Sequence, residues 1–157
     1  MSDRAERPPE LPRPADVVEG LLERVRAHGV GEEVVYLDSN LVYHRWGAEA
    51  FGDLKEEFKY KTIGVAKQLR DALGSPDPSA FVRALDRFDV GLCAAAWWKR
   101  GLVVFVCLRQ QANAQVRALD KDRFLIVLGV TEPSPDDPVP SGDEARVAAG
   151  MISLLIH

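Results

Sequence analysis

The chain has 157 residues, a size that gives one domain with a core of its own. Its apolar fraction of 46% and charged fraction of 28% are those of an ordinary soluble globular protein. The net charge of −4, with cations scattered rather than blocked, argues against a dedicated nucleic-acid binder, and no apolar run approaches the roughly 20 residues that span a bilayer.

Residues 1–14 hold four prolines among charged side chains and no apolar stretch. They read as a disordered arm, neither signal peptide nor anchor, ahead of a single domain over residues 15–157. The expected location is therefore the cytoplasm. Asp16 is a plausible helix cap, and Val17, Val18, Leu21, Leu22 and Val25 follow at helical spacing. Gly29, after His28, suits the left-handed conformation of a helix terminus. Residues 34–37 and 41–46 are apolar-rich and separated by the turn formers Asp38, Ser39 and Asn40, which predicts a hairpin.

Residues 47–52 read as a connection. Over residues 53–73, Leu54, Phe58, Thr62, Val65, Leu69 and Leu73 recur every three or four places, which predicts the longest helix. Gly74, Ser75 and Pro76 stop it. Asp77 followed by Pro78 starts a short helix that carries Phe81 and Leu85.

The centre of the chain is a second predicted hairpin. Residues 88–98 are apolar-rich and end in Trp97 and Trp98; Lys99, Arg100 and Gly101 make the break; residues 102–108 are apolar throughout. Such an uninterrupted run predicts a strand covered on both faces. Cys93 and Cys107 are equally distant from Arg100 and are expected roughly opposite each other, as reduced core thiols. Residues 110–120 read as a polar link of one or two helical turns. A buried strand over 124–130, apolar apart from Gly129, follows, then a proline-rich loop over 131–141. Val147, Met151, Leu154 and Leu155 give a closing helix over 142–157. The sum is an α+β fold with a five-stranded, largely antiparallel sheet flanked by helices, because two strand pairs are joined by turns too short for a parallel crossover.

Few residues announce chemistry. Trp97 and Trp98 point to opposite faces of a strand, and with Lys99 and Arg100 they form the sharpest local feature. They read either as caps on the helix–sheet layers or as a partner-binding surface. Gly64 in a helix interior costs about 1 kcal/mol against alanine, so the segment bearing Thr62, Gly64, Val65 and Leu69 is expected to pack closely, within the monomer or across a two-fold axis as a dimer interface. Asp38 with Glu56, Glu57 and Lys59 invites a nuclease reading. Residues 36–40 superficially resemble the opening strand of PIN-type nucleases, and residues 57–59 the carboxylate–lysine pair of restriction-type nucleases. Against this, Asp38 suits a turn, and Glu57 and Lys59 fall two apart on a helix, facing different ways. His44, beside Arg45, has no evident nucleophile. No phosphate loop, nucleophile elbow or cluster of metal ligands is present in the sequence, so neither cofactor nor metal is expected, and catalysis has no positive signal.

The element order resembles the roadblock (dynein light-chain) family and the wider profilin-like group that includes sensory domains of PAS and GAF type. Residues 34–46 stand for the first hairpin, 62–69 for the central helix and 90–108 for the second hairpin. The resemblance implies a profilin-like α/β sandwich and a non-catalytic homodimer that binds a small Ras-like GTPase or serves as a scaffold. A short helix inserted at residues 77–86 and a longer ending after Leu108 depart from that pattern. The functional expectation is a regulatory or scaffolding module acting through protein contacts. A small-molecule sensory domain of PAS or GAF type is the alternative, and a metal-dependent nuclease using Asp38 and Glu57 a second.

Overall fold

The computed structural model describes residues 13–29, 31–84, 93–112 and 121–133. The arm over 1–12, the link over 113–120 and the closing helix over 142–157 lie outside the described residues. Helix α1 (Pro14–His28) is followed by strand β1 (Glu32–Tyr43), a 3-10 turn (His44–Trp46), helix α2 (Ala48–Leu73) and helix α3 (Pro78–Arg83). Strands β2 (Cys93–Lys99), β3 (Leu102–Ala112) and β4 (Lys121–Thr131) complete the described elements. The fold is α+β, with a four-stranded antiparallel sheet in the order β1-β4-β3-β2.

The first helix begins earlier than Asp16. Arg13 is its N-cap and Pro14 occupies the first turn, where a fixed φ and a missing N–H cost nothing. Asp16 lies in that turn, where its charge favours the positive helix end. Gly29 closes the helix at φ 62, donating its N–H to the Val25 carbonyl.

The largest correction concerns residues 34–46, which form one strand and the 3-10 turn instead of a hairpin. Asp38, Ser39 and Asn40 pair with Ile126, Leu125 and Phe124 of β4, so no turn forms there. The register slips between Tyr36 and Asp38, which leaves Leu37 as a bulge. That extra residue reverses the alternation of side chains and puts Asp38, Asn40 and Val42 on the face covered by helices. The turn-forming side chains serve a different purpose. Asp38 Oδ1 accepts the Ser39 N–H and Asn40 Oδ1 accepts the Leu41 N–H, both at 2.8 Å. These amides are two residues apart, hence on the same edge of the strand, and among the described residues β1 has only β4 beside it. The side chains thus close the open edge of the sheet.

The central hairpin forms as the sequence indicates. Arg100 and Gly101 are its two-residue turn, with φ of 53 and 80, the positive values that a right-twisted tight hairpin demands. A two-residue turn sets the register at Cys93 opposite Leu108 and Ala94 opposite Cys107. The thiols therefore point to opposite faces and are not paired across the hairpin, as equal distance from Arg100 had suggested. Both are buried and free. β3 runs on past Arg109 through Gln110, Gln111 and Ala112, which the polar composition marked as part of the link.

The sheet is buried on both sides. On one face α1 supplies Val18, Leu21, Leu22 and Val25, and α2 supplies Phe58, Ala66 and Leu69, over a layer that includes Trp97, Val106, Phe124 and Leu128. Phe124 anchors this layer, with ring centroids 5.3 Å from Phe51 and 6.1 Å from Phe58. On the other face Ala80, Phe81 and Ala84 pack with Val103, Phe105, Cys107 and Val127. Val103 to Leu108 are all fully buried, as their unbroken apolar run requires.

Gly129 sits between Val34 and Phe105 across the two ladders, and the Phe105 ring lies over its backbone. A Cβ there would overlap Phe105 Cζ and come within 2.9 Å of Val34 Cγ1. Gly129→Ala should therefore lower stability by about 1–3 kcal/mol through overpacking; an unchanged urea midpoint would refute this close approach. A second expectation concerns the closed edge. Asp38→Ala with Asn40→Ala frees two edge amides, so static light scattering should show faster aggregation with unchanged far-ultraviolet dichroism; equal aggregation rates would show that the capping has no protective role.

Candidate functional site

The hairpin end is built into the protein more than it is presented to solvent. Trp97 is 1% exposed, and its indole N–H donates to the Gly74 carbonyl at 2.8 Å. As a partner-contact residue it must be withdrawn: it lies in the core. Trp98 is 38% exposed and donates to Ser79 Oγ at 2.8 Å, and that hydroxyl donates on to Asp77 Oδ1 at 2.7 Å. Asp77 caps α3 through the Ser79 N–H, and its own N–H donates to the Ala96 carbonyl. The two indoles thereby fasten residues 74–79 to β2, one on each face of the sheet. Arg100 Nη1 lies 3.0 Å from Glu19 Oε2, linking the turn to α1. Lys99, half-buried, completes the set.

Helix α2 separates the residues of the expected dimer interface. Thr62 and Leu69 are fully buried against the sheet, and the Thr62 hydroxyl donates to the Phe58 carbonyl at 2.7 Å. They belong to the monomer core and are withdrawn as interface residues, because the apolar stripe that marks them is the one that packs inward. Val65 is half-buried beside the same cluster. Gly64 differs from them. A Cβ on it would meet nothing within 4 Å among the described residues, so no neighbour within the described protein requires glycine there. One turn before it stands Tyr60, 72% exposed. Tyr60 was not singled out by the sequence, yet its place opposite the Phe58, Thr62 and Leu69 stripe marked it as outward-facing.

The acidic residues of the nuclease reading are drawn together by a lysine. Lys61 Nζ lies 3.0 Å from Asp38 Oδ2 and 4.0 Å from Glu57 Oε1. The hydrogen bond to Asp38 holds the Lys61 ammonium above its usual range against the opposing effect of burial, and the charges of Asp38 and Glu57 add to it. Lys59 turns to Glu56 at 3.6 Å and is not part of this group. The two carboxylates thus share an ammonium of the chain itself. Among the described residues no three His, Cys, Asp or Glu side chains converge as metal ligands.

His44 acquires a partner that the sequence did not reveal. Its Nε2 is 3.3 Å from Oδ2 of Asp122, a buried residue, and Gln110 Nε2 donates to the same oxygen at 3.2 Å. This cluster ties together the end of β1, the start of β4 and the end of β3. Asp122 was hidden because it stands among charged residues ahead of an apolar run, and only the strand register brings it to the helix-covered face. Next to it the Tyr43 ring carries Arg45 at 4.5 Å and meets Trp46 edge-on at 4.9 Å.

Between β1 and the first half of α2 lies an open groove of about 610 Å³. Leu41, Val42 and Leu54 contribute its apolar lining, Asp53 and Glu57 its acidic side, and Trp46, 54% exposed, one end. Comparisons with known protein families, with curated proteins and with solved structures return no match.

Burial pushes the Cys93 thiol up to about 11, partly opposed by the charge of Lys59. The shift keeps the thiol neutral in the fold, so its contribution to stability is complete below the unfolded value of 9.0 and is lost as pH rises toward 11. Cys93 and Cys107 should both resist Ellman's reagent at neutral pH and both react after unfolding in guanidinium chloride. Rapid labelling of either in the folded protein would contradict its burial.

Proposed function

We propose that the protein is a non-catalytic regulatory or scaffolding module that acts through protein contacts as a homodimer, on a profilin-like, roadblock-like α/β sandwich. The outward face of α2 carries this reading. Tyr60 is a large aromatic left in solvent, and Gly64, four residues on, offers the empty space into which such a ring fits. An antiparallel contact about a two-fold axis beside Thr62 would seat Tyr60 of one protomer over Gly64 of the other, twice over. The same axis sets Glu57 against Lys67, which is exposed and enters no ion pair among the described residues. Self-complementarity of shape and charge on one helix face is what an isologous interface requires. Compared with the expectation from sequence, the interface keeps Gly64 and moves outward from Thr62 and Leu69 to Tyr60. Trp98, Lys99 and Arg100, at the far end of the hairpin, remain open to a second protein, and a small Ras-like GTPase is the first to be tried there.

The dimer is tested by sedimentation at micromolar concentration. The native chain should sediment as a dimer, and Gly64→Arg and Tyr60→Ala as monomers with unchanged dichroism. Gly64→Ala separates the two roles of the glycine: it should stabilise the isolated helix by about 1 kcal/mol while weakening association. A native chain that sediments as a monomer would remove this reading.

A further inference from the structure

The groove between β1 and α2 has the size of a binding site, within the ~300–1,000 Å³ usual for such clefts. Its chemistry is one-sided. Two carboxylates, Asp53 and Glu57, line it, and among the described residues neither lysine nor arginine does. Glu57 is 4.0 Å from Lys61, a weak surface pair, while Asp53 enters no ion pair among the described residues. Trp46 lies at one end with more than half its surface in solvent. A flat indole beside an unpaired carboxylate is a receptor for a guanidinium, which stacks on the ring and donates to the oxygens. Leu41, Val42 and Leu54 next to it ask for apolar neighbours of that cation.

The strand edge settles how such an occupant enters. The Ser39 and Leu41 amides are already taken by Asp38 and Asn40, so a strand cannot add to β1 at this point. The occupant has to be read through its side chains, at the bottom of the groove. A net charge of −4 favours the approach of a basic partner. We propose that this groove docks a segment of a partner protein in which arginine alternates with leucine-like residues, the guanidinium seated between Trp46 and Asp53. The proposal rests on reading the protein as a contact module; the groove adjoins the Tyr60–Gly64 face and shares Glu57 with it, while Trp46 and Asp53 belong to the groove alone.

The test uses the full chain and a fluorescein-labelled, amidated hexapeptide Leu-Arg-Leu-Leu-Arg-Leu, followed by anisotropy at low salt. Saturable binding is expected, weakened at least tenfold by Asp53→Asn and by Trp46→Ala, and unchanged by Trp98→Ala. The same peptide with glutamate for arginine should not bind. Failure to saturate, equal binding of the glutamate peptide, or indifference to both groove substitutions overturns the proposal. Argininamide competing as well as the unlabelled peptide would make the groove a small-molecule site, and loss of a native dimer on Trp46→Ala would make it an interface between copies; either result also overturns it. The two readings fail separately: a monomer that binds the peptide refutes the dimer alone, and a dimer that ignores the peptide refutes the groove alone.

Discussion

Burial of β3 on both faces is the constraint from which the other features follow. A strand covered on two sides must find hydrogen-bonding partners on both of its edges, because an unpaired amide inside the core costs more than any side chain there returns. β2 satisfies one edge through the two-residue turn at Arg100 and Gly101, and β4 satisfies the other. With the turn length set, alternation sends Trp97 inward toward α1 and α2 and Trp98 toward α3. Gly129 then lets the Phe105 ring cross β4, so the second face closes at the same point where β1 joins.

Two clusters of hydrogen bonds connect this core to the periphery. Trp97, Trp98, Ser79 and Asp77 hold residues 74–79, ahead of the buried Ala80 and Phe81, against β2. Asp122, Gln110 and His44 hold three strand ends together on the helix side. Both clusters use polar side chains to position backbone. The tryptophans, which as a sequence feature looked most like a contact surface, are spent mainly on internal attachment.

What is left for function is a set of aromatic and charged groups without an internal task. Tyr60 projects from α2 one turn from Gly64, and Trp46, edge-on to Tyr43, lines a groove whose acid Asp53 enters no ion pair among the described residues. A single exposed aromatic is ordinary on a protein surface; what distinguishes these two is the open glycine one turn from Tyr60 and the carboxylates that line the groove with Trp46. The edge of β1, by contrast, is closed at Ser39 and Leu41 by Asp38 and Asn40, which disfavours strand addition there. The Asp38–Lys61–Glu57 group ties β1 to α2.

Local pattern alone indicated α1, the central hairpin, the start of α3 and α2 from Asp53 onward; residues 48–52, read as a connection, are the first turns of α2. Apolar spacing in α1 and α2, glycine at the α1 terminus, Asp77 ahead of Pro78, and an unbroken apolar run in β3 each rest on interactions within a few residues or on burial that composition reports directly. The sequence also carried the outward position of Tyr60 and the special character of Gly64, though not their relation to each other. Tertiary structure decided the rest. Asp38, Ser39 and Asn40 have every local preference for a turn, yet pairing with β4 across more than eighty residues of chain outweighs that preference, and a bulge at Leu37 absorbs the mismatch. The partners of His44, the split of the two thiols onto opposite faces, and the meeting of β1 with α2 that forms the groove all depend on strand register, and register follows from long-range packing that no short window of sequence contains.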